Sequence, residues 1–322
     1  MLRLTELKLP LDHDEAALPN AILQTLGIDA TQLRHYHVFR RGYDARRRDQ
    51  IFLIYTLDVD TTDNEALLKK HAGNPHVVVA PDTSYRFIGH APKALEKRPV
   101  VIGFGPCGLF AALILAQMGF RPLVLERGQP VRQRTQDTWG LWRKRNLNPD
   151  SNVQFGEGGA GTFSDGKLYS QIKDPAHRGR KVLTEFVAAG APAEILYVSK
   201  PHIGTFKLVT MIENMRHTIE SLGGEIRFGA RVTDFDIDYS ESGQGQMRGV
   251  TLADGTHIET DHVVLAIGHS ARDTFELLHE KNVYIEAKPF SIGFRIEHPQ
   301  SLIDRCRFGK NAGHPILGAA DY

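Results

Sequence analysis

Cysteine, net charge and long apolar runs are all scarce in this 322-residue sequence. Its two cysteines, Cys107 and Cys306, lie far apart without C-x-x-C spacing, which excludes a disulfide framework and a dithiol redox pair and predicts a reducing, cytoplasmic location. The net charge of +1 gives no general attraction to nucleic acid or to an anionic membrane. Neither a membrane span of roughly 18 apolar residues nor an apolar signal core is present, and no metal site is predicted.

What is present is the composition of a soluble globular protein, with 41% hydrophobic and 24% charged residues. Residues 1–95 combine a helical pattern at Ala16–Leu26 with strand patterns at His35–Tyr43 and Ile51–Val59, which predicts an N-terminal α+β domain. The proline-containing stretch Gly89–Arg98 is the predicted linker between this domain and the next.

A second kind of pattern begins at Pro99. Two short, continuous apolar runs, Val100–Ile102 and Leu123–Leu125, are separated by an apolar helical pattern at Pro106–Met118. Such runs are typical of a parallel sheet with both faces covered. Residues 96–285 are therefore predicted to form an α/β domain of the Rossmann type, and residues 286–322 to begin a substrate domain.

The turn between the first strand and the helix reads Gly103-Phe104-Gly105-Pro106-Cys107-Gly108, which fits G-x-G-x-x-G, and Glu126 ends the next strand. Gly103 permits the tight turn, Gly105 lets a pyrophosphate approach the backbone, and Gly108 allows close packing of the helix. The helix start offers free N–H groups, while Pro106 costs no needed donor. Glu126 is suited to accept a ribose hydroxyl. This context predicts a dinucleotide site; an incidental glycine-rich turn is the alternative.

The chain after Glu126 favours FAD over NAD. A long polar, glycine-rich stretch, roughly Gly128–Lys173, replaces the immediate crossover helix of a simple NAD domain and is predicted to be a loop that encloses a flavin. Within it, Gly156–Gly161 repeats G-x-G-x-x-G without a preceding strand. Gly161–Lys167 approaches a phosphate loop of the Walker type, but Leu168 occupies the Ser/Thr position. Both motifs are rejected as separate nucleotide sites. The backbone of the stretch is expected to contact FAD, and a plain surface loop is the alternative.

Several of these segments together resemble one family. Val101–Gly108, Glu126-Arg127-Gly128, Asn148–Asn152 and Gln154–Leu168 are similar to segments of the bacterial FAD-dependent dehydrogenases labelled NAD(FAD)-utilising dehydrogenases. The resemblance runs through the whole chain. It implies a glutathione-reductase-type flavoprotein with an added N-terminal α+β domain, and an FAD-dependent oxidoreductase acting on a small molecule, with NAD(P)H as a possible electron donor.

The resemblance also implies cofactor contacts. Val232 corresponds to the residue whose backbone contacts adenine, and Ala266-Ile267-Gly268 to a turn near the cofactor. The complete predicted cofactor set is Gly103, Gly105, Pro106, Cys107, Gly108, Glu126, Arg127, Gly159, Gly161, Thr162, Val232, Ala266 and Gly268. Lys167 and His269 are the candidate catalytic residues, because each follows a predicted cofactor-binding segment. A solvated lysine and a structural histidine are the respective alternatives.

The sequence departs from the family after about residue 285. Such proteins continue through a substrate domain and return with a Gly-Asp segment that binds the ribityl chain, and this sequence has none. A strand over Lys288–Glu297 is expected to open an incomplete domain, with Phe290, Ile292 and Phe294 partly uncovered. On this expectation the isolated chain binds FAD weakly, or is a remnant without enzyme activity.

A different class of function, nucleic-acid association, is suggested by arginines near the N-terminus. Arginines interleaved with Tyr36, Phe39 and Tyr43 are a pattern that can follow phosphates and stack on bases. A charged edge hairpin that resists aggregation is the alternative. The arginines concerned are Arg34, Arg40, Arg41, Arg46, Arg47 and Arg48.

Overall fold

The computed structural model describes residues 1–164, 166–168, 172–290, 292–294 and 296–321. The chain forms two compact units, each assembled from separate stretches of sequence. Unit 1 contains Met1–Thr83, Glu194–Lys200 and the described residues from Pro289 onward; unit 2 contains the described residues of Ser84–Ala193 and Pro201–Lys288. The sequence prediction placed its boundaries at residues 95 and 285 and kept the C-terminal part separate, whereas here that part joins the N-terminal residues.

The elements of unit 1 are β1 (Leu2–Pro10), α1 (Ala17–Leu26), β2 (Leu33–Asp44), β3 (Phe52–Thr61), α2 (Asn64–Lys70), β4 (Val77–Val79) and α8 (Gln300–Phe308). The strands form an antiparallel sheet of order β2-β3-β1-β4, with helices packed against it. Phe308 is fully buried in the same core as Leu2, Ile22 and Leu57, and this explains why the C-terminal helix belongs to the unit. The α+β prediction is confirmed for α1, β2 and β3.

Strand β1 was absent from the prediction, because its apolar alternation is interrupted. The pairing of β1 with β3 shifts register between Leu4 and Leu7, and Glu6 within the shift has φ of 57°. This bulge inserts an extra residue between Leu4 and Leu7, both of which are buried. A strict period of two therefore fails in the sequence although the strand is continuous in the sheet.

Unit 2 contains a parallel sheet of order β11-β5-β6-β7 and a separate antiparallel sheet of order β10-β9-β8. Its elements are β5 (Val100–Ile102), α3 (Pro106–Gln117), β6 (Leu123–Glu126), α4 (Val131–Lys144), α5 (Arg178–Ala188), α6 (Thr205–Ser221), β7 (Glu225–Phe228), β8 (Val232–Tyr239), β9 (Gly245–Leu252), β10 (His257–Glu259), β11 (Val263–Leu265) and α7 (Arg272–Glu280). The α/β fold with a parallel sheet is confirmed. Among the described residues, no helix has the length and apolar content needed to cross a bilayer.

Two predictions made from the sequence are corrected: the loop over Gly128–Lys173 and the strand over Lys288–Glu297. Helix α4 occupies part of the stretch predicted to be loop, because its buried positions Val131, Arg134 and Thr138 follow helical spacing without being uniformly apolar. The strand expected over Lys288–Glu297 is not formed by the described residues of that segment, while Ser291 and Arg295 lie outside them. As expected, Phe290 and the other apolar residues there are exposed.

The three glycines of the βα turn differ in what makes glycine necessary. A Cβ placed on Gly103 would lie 2.5 Å from the Ala266 carbonyl oxygen, and one on Gly108 would lie 1.8 Å from the Gly103 carbonyl oxygen. Gly105 has an ordinary φ of −74°, and its Cβ would meet only the Gly159 backbone, with the Cα at 3.6 Å. The packing of the chain therefore requires glycine at 103 and 108, whereas a Cβ at 105 would fit in ordinary van der Waals contact with Gly159.

We expect Gly108→Ala to destabilise unit 2 by about 1–3 kcal/mol or more, since overpacking a closed helix–strand contact forces the backbone apart. Gly105→Ala is the matched control, and its free energy of unfolding should stay within about 0.5 kcal/mol of wild type. Denaturant unfolding of both variants measures the difference. Equal losses in the two variants would contradict the distinction between these glycines.

Candidate cofactor site

The start of α3 is the open part of the βα turn. Pro106 is the first helical residue, and Pro106 and Cys107 are both exposed, whereas Phe104 and Gly108 are buried. The first N–H groups of a helix have no partners within it and carry the positive end of the helix dipole. Because this end is exposed and Gly105 adds no side chain, the turn can receive an anionic group at its backbone.

Glu126, at the end of β6, joins three chain segments through backbone amides. Its Oε2 accepts from Phe104 N at 2.6 Å, and its Oε1 accepts from Gly128 N at 2.8 Å and Gly156 N at 2.9 Å. The residue is only 4% exposed. A carboxylate oxygen offers two lone pairs, so the Oε1 positions are both used and one position on Oε2 remains for a ligand hydroxyl.

Arg134 has no solvent exposure and holds the chain between Asn152 and Gly159 by its carbonyls. Nε donates to Asn152 O at 2.8 Å, Nη2 to Val153 O at 2.7 Å, and Nη1 to both Glu157 O and Gly159 O at 2.7 Å. Burial lowers the pKa of Arg134 to about 10, which leaves it protonated at neutral pH. The buried cation is thus satisfied mainly by backbone oxygens.

Glu157, which lies within this segment, is a second buried carboxylate and has no solvent exposure. Its Oε2 accepts from Val131 N at 2.7 Å and lies 3.5 Å from Arg216 Nη1, while Oε1 has no partner among the described residues. Burial raises the pKa of Glu157, although the Val131 amide and the Arg216 cation oppose this. The raised pKa therefore reflects incomplete compensation of a buried charge.

A pocket brings several of the predicted cofactor residues together. Gly103, Glu126, Arg127 and Val232 line it, and Ile267 contributes from the Ala266–Gly268 turn. The pocket has a volume of about 30 Å³, close to the space of one water molecule. Its other lining residues are Ile102, Leu125, Phe155, Ala230, Ala271 and Thr274. None of them belongs to the predicted cofactor set; Ile102 and Leu125 were predicted only as strand residues.

The side chains of Arg127 and Thr162 have structural partners. Arg127 donates to Asp273 at 3.0 Å and Thr274 at 3.2 Å, and its guanidinium lies over the Phe155 ring at 4.4 Å. Thr162 is buried, and its hydroxyl lies 3.4 Å from both Arg134 Nη1 and the Glu157 carbonyl oxygen. Its backbone N–H donates to the Gly159 carbonyl oxygen at 3.2 Å, so Thr162 is bonded within the segment through both its side chain and its amide.

The candidate catalytic residues lie apart from this pocket. His269 lines a second cavity of about 550 Å³, and its Nε2 lies 3.3 Å from Ser270 Oγ, which donates to Gln154. Lys167 is exposed and pairs in an isolated antiparallel bridge with His202. The other residues that line the second cavity are Leu141, Leu147, Pro149, Asn152, Val153, Gln154, Phe155, Ser270 and Arg272.

Three of the six arginines proposed for nucleic acid have partners within unit 1. Arg40 Nε donates to Ser199 Oγ at 3.0 Å, the Arg41 guanidinium lies 5.3 Å from the Tyr197 ring, and Arg46 pairs with Asp44 at 2.5 Å. Arg47 and Arg48 are exposed at the hairpin end.

In the part of the chain that is described, no group of three or more His, Cys, Asp and Glu side chains is arranged to hold a metal ion.

Models of known families match three parts of the chain. Residues 1–60 match a domain of unknown function, DUF8436; residues 149–284 match the flavin containing amine oxidoreductases; and residues 289–322 match an FAD-dependent protein, C-terminal domain-like. The two flavoprotein matches support the class of FAD-dependent oxidoreductases without singling out one family within it. They give no support to a role in nucleic-acid binding.

One protein sequence and several solved structures are also similar to this chain. An uncharacterized protein of Clostridium beijerinckii is 41% identical over 321 residues, which is 100% of this chain and 58% of that protein, so the chain spans little more than half the length of this relative. Thi4 of Thermovibrio ammonificans is 19% identical, with a TM-score of 0.39, over 58% of this chain and 64% of that one. L-amino acid deaminase of Proteus vulgaris is 16% identical, with a TM-score of 0.29, over 62% and 53%.

The pKa shift of Glu157 predicts a pH-dependent stability. A carboxyl whose pKa is raised in the folded protein contributes stability below its unfolded pKa, and this is lost as pH rises through the folded value. We therefore expect Glu157→Gln to gain stability relative to wild type as pH rises above the unfolded glutamate pKa of about 4.3. Thermal unfolding of both proteins as a function of pH measures the change.

Glu213 supplies a control of opposite sign. Arg132 donates to it at 2.7 Å and lowers its pKa, so its contribution is present above the unfolded pKa and lost as pH falls through the folded value. Glu213→Gln should therefore differ from wild type by a constant amount above the unfolded glutamate pKa of about 4.3, and this difference should shrink as pH falls below that value. A Glu157→Gln curve parallel to wild type at all pH values would contradict the assignment.

Proposed function

We propose that this chain is the FAD-binding part of an FAD-dependent oxidoreductase that acts on a small molecule. The observation that carries the proposal is that Gly105 lies beside the exposed start of α3, where neither its backbone conformation nor its contact with Gly159 calls for glycine. A diphosphate that approaches the backbone there accounts for the missing side chain.

The surrounding residues fit the adenosine half of FAD. Glu126 keeps one acceptor position for a ribose hydroxyl and lines the pocket next to the turn. The Val232 backbone would border adenine, and Ala266 and Gly268 follow the neighbouring strand β11. The pocket is small, so adenosine requires its lining side chains to move. When bound, FAD would supply the redox chemistry, and the chain's residues would orient it.

The finer assignment follows the resemblance to NAD(FAD)-utilising dehydrogenases. It makes NAD(P)H the proposed electron donor. His269 is the better placed of the two catalytic candidates, because the cavity it lines and the cofactor pocket share Phe155. Lys167 remains a proposal from its position after the glycine-rich segment. An NADH or NADPH oxidation assay of the FAD-loaded protein tests the choice of donor.

Gly105→Val tests the cofactor assignment. The added side chain would occupy the space where the diphosphate approaches, so we expect FAD affinity to fall at least roughly tenfold, the loss of more than one typical hydrogen bond. Fluorescence titration of the purified chain with FAD measures the dissociation constant, and the visible absorption spectrum measures the flavin retained.

Gly89→Val is the matched control, since a Cβ at Gly89 meets nothing within 4 Å and the residue precedes β5 in an irregular segment. It should bind FAD as the wild type does. Wild-type affinity in a folded Gly105→Val protein would overturn the assignment of the diphosphate to this turn.

A further inference from the structure

We propose that Arg134 is a positioning residue for diphosphate binding, which holds the segment Gly156–Thr162, here called the glycine loop, against the phosphate-binding turn with the Ala160 amide directed outward. This inference rests on the proposed function, because the diphosphate is that of FAD. It assigns a role to a side chain that touches neither pocket and that no sequence motif marks.

The glycine loop has its carbonyl groups turned toward Arg134. The Glu157 and Gly159 oxygens both accept from Nη1, at 2.7 Å. In a trans peptide the C=O and the following N–H point in opposite directions. The Ala160 N–H, which shares a peptide unit with the Gly159 carbonyl, is therefore directed away from the buried guanidinium. Ala160 and Gly161 are exposed, so this face of the loop is open to a ligand.

The same loop is fixed to the start of α3. Gly158 N donates to Phe104 O at 2.8 Å, between the two carbonyls that Arg134 holds. A Cβ on Gly159 would lie 2.9 Å from Pro106 Cδ and 3.1 Å from Gly105 Cα, so the loop backbone passes directly over the turn. Ala160, the residue after Gly159, therefore lies beside the turn. Its amide and the first amides of α3 are brought close together, and Arg134 sets the orientation of the Gly159–Ala160 peptide.

Arginine is suited to this position and lysine is not. The guanidinium presents five N–H donors in a rigid planar fork, and here it reaches four carbonyls, two at Asn152 and Val153 and two in the glycine loop. Lysine has three donors on one atom and cannot reach all four. A Cβ on Gly156 would lie 2.3 Å from Arg134 Cδ, which shows how closely the loop is wrapped around this side chain.

The test compares Arg134→Lys with Arg132→Lys. Arg132 lies on the same helix, but it donates two hydrogen bonds to the Glu213 carboxylate instead of to the loop. Its side chain is 71% exposed. Calorimetric titration with ADP and with adenosine separates the diphosphate from the nucleoside. We expect Arg134→Lys to weaken ADP roughly tenfold, while adenosine changes less than about twofold. Arg132→Lys should leave both affinities unchanged.

Hydrogen exchange on the wild-type chain keeps the inference testable if Arg134→Lys does not fold. We expect ADP, but not adenosine, to slow exchange in peptides covering Gly156–Thr162 as well as in those covering the turn. Protection of the turn alone would overturn the inference, as would equal losses of ADP and adenosine affinity in a folded Arg134→Lys protein. A wild-type chain that binds neither FAD nor ADP would instead overturn the proposed function, and this inference with it.

Discussion

Two buried charges of opposite sign, on Glu126 and Arg134, hold the candidate cofactor site of unit 2 together through the backbone. Glu126 collects amides from the turn, from the end of its own strand and from the glycine loop, and Arg134 collects carbonyls from the chain that leads into that loop. An irregular segment can be buried only when its polar groups find partners. Here one carboxylate and one guanidinium provide them, and the Glu126 charge favours the protonated form of Arg134 at longer range.

The sequence predicted those parts of the fold that depend on apolar patterns and on glycine. The runs at Val100–Ile102 and Leu123–Leu125 formed adjacent parallel strands, and the turn between them adopts the expected strand-to-helix form. At Gly103 and Gly108 the structure supplies the packing reason for glycine, and at Gly105 it supplies none. Gly105 is therefore the one glycine of this motif that the packing of the chain leaves unexplained.

The sequence did not reveal the supports of the site, because their pattern is polar. Helix α4 buries Arg134 and Thr138 on the face where an apolar stripe would be the usual signal, and Glu157 lies within a segment that reads as a polar loop. Hydrophobic periodicity cannot detect a helix whose buried side is an arginine bonded to carbonyls. The spacing of Val131, Arg134 and Thr138, together with Pro130 before the first turn, was the signal available.

The assembly of unit 1 from distant stretches also constrains how the chain is made. Asp12 pairs with His314, and Asn311 bonds to the Arg48 carbonyl, across 302 and 263 positions of sequence. At a synthesis rate of about 5–20 residues per second, roughly 15–60 s separate the emergence of the first pair from the ribosome. During that interval the core of β1, β2 and β3 lacks Phe308, so its apolar surface is exposed while unit 2 is translated. The core of unit 1 can therefore be completed around Phe308 only after the chain of unit 2 has been made.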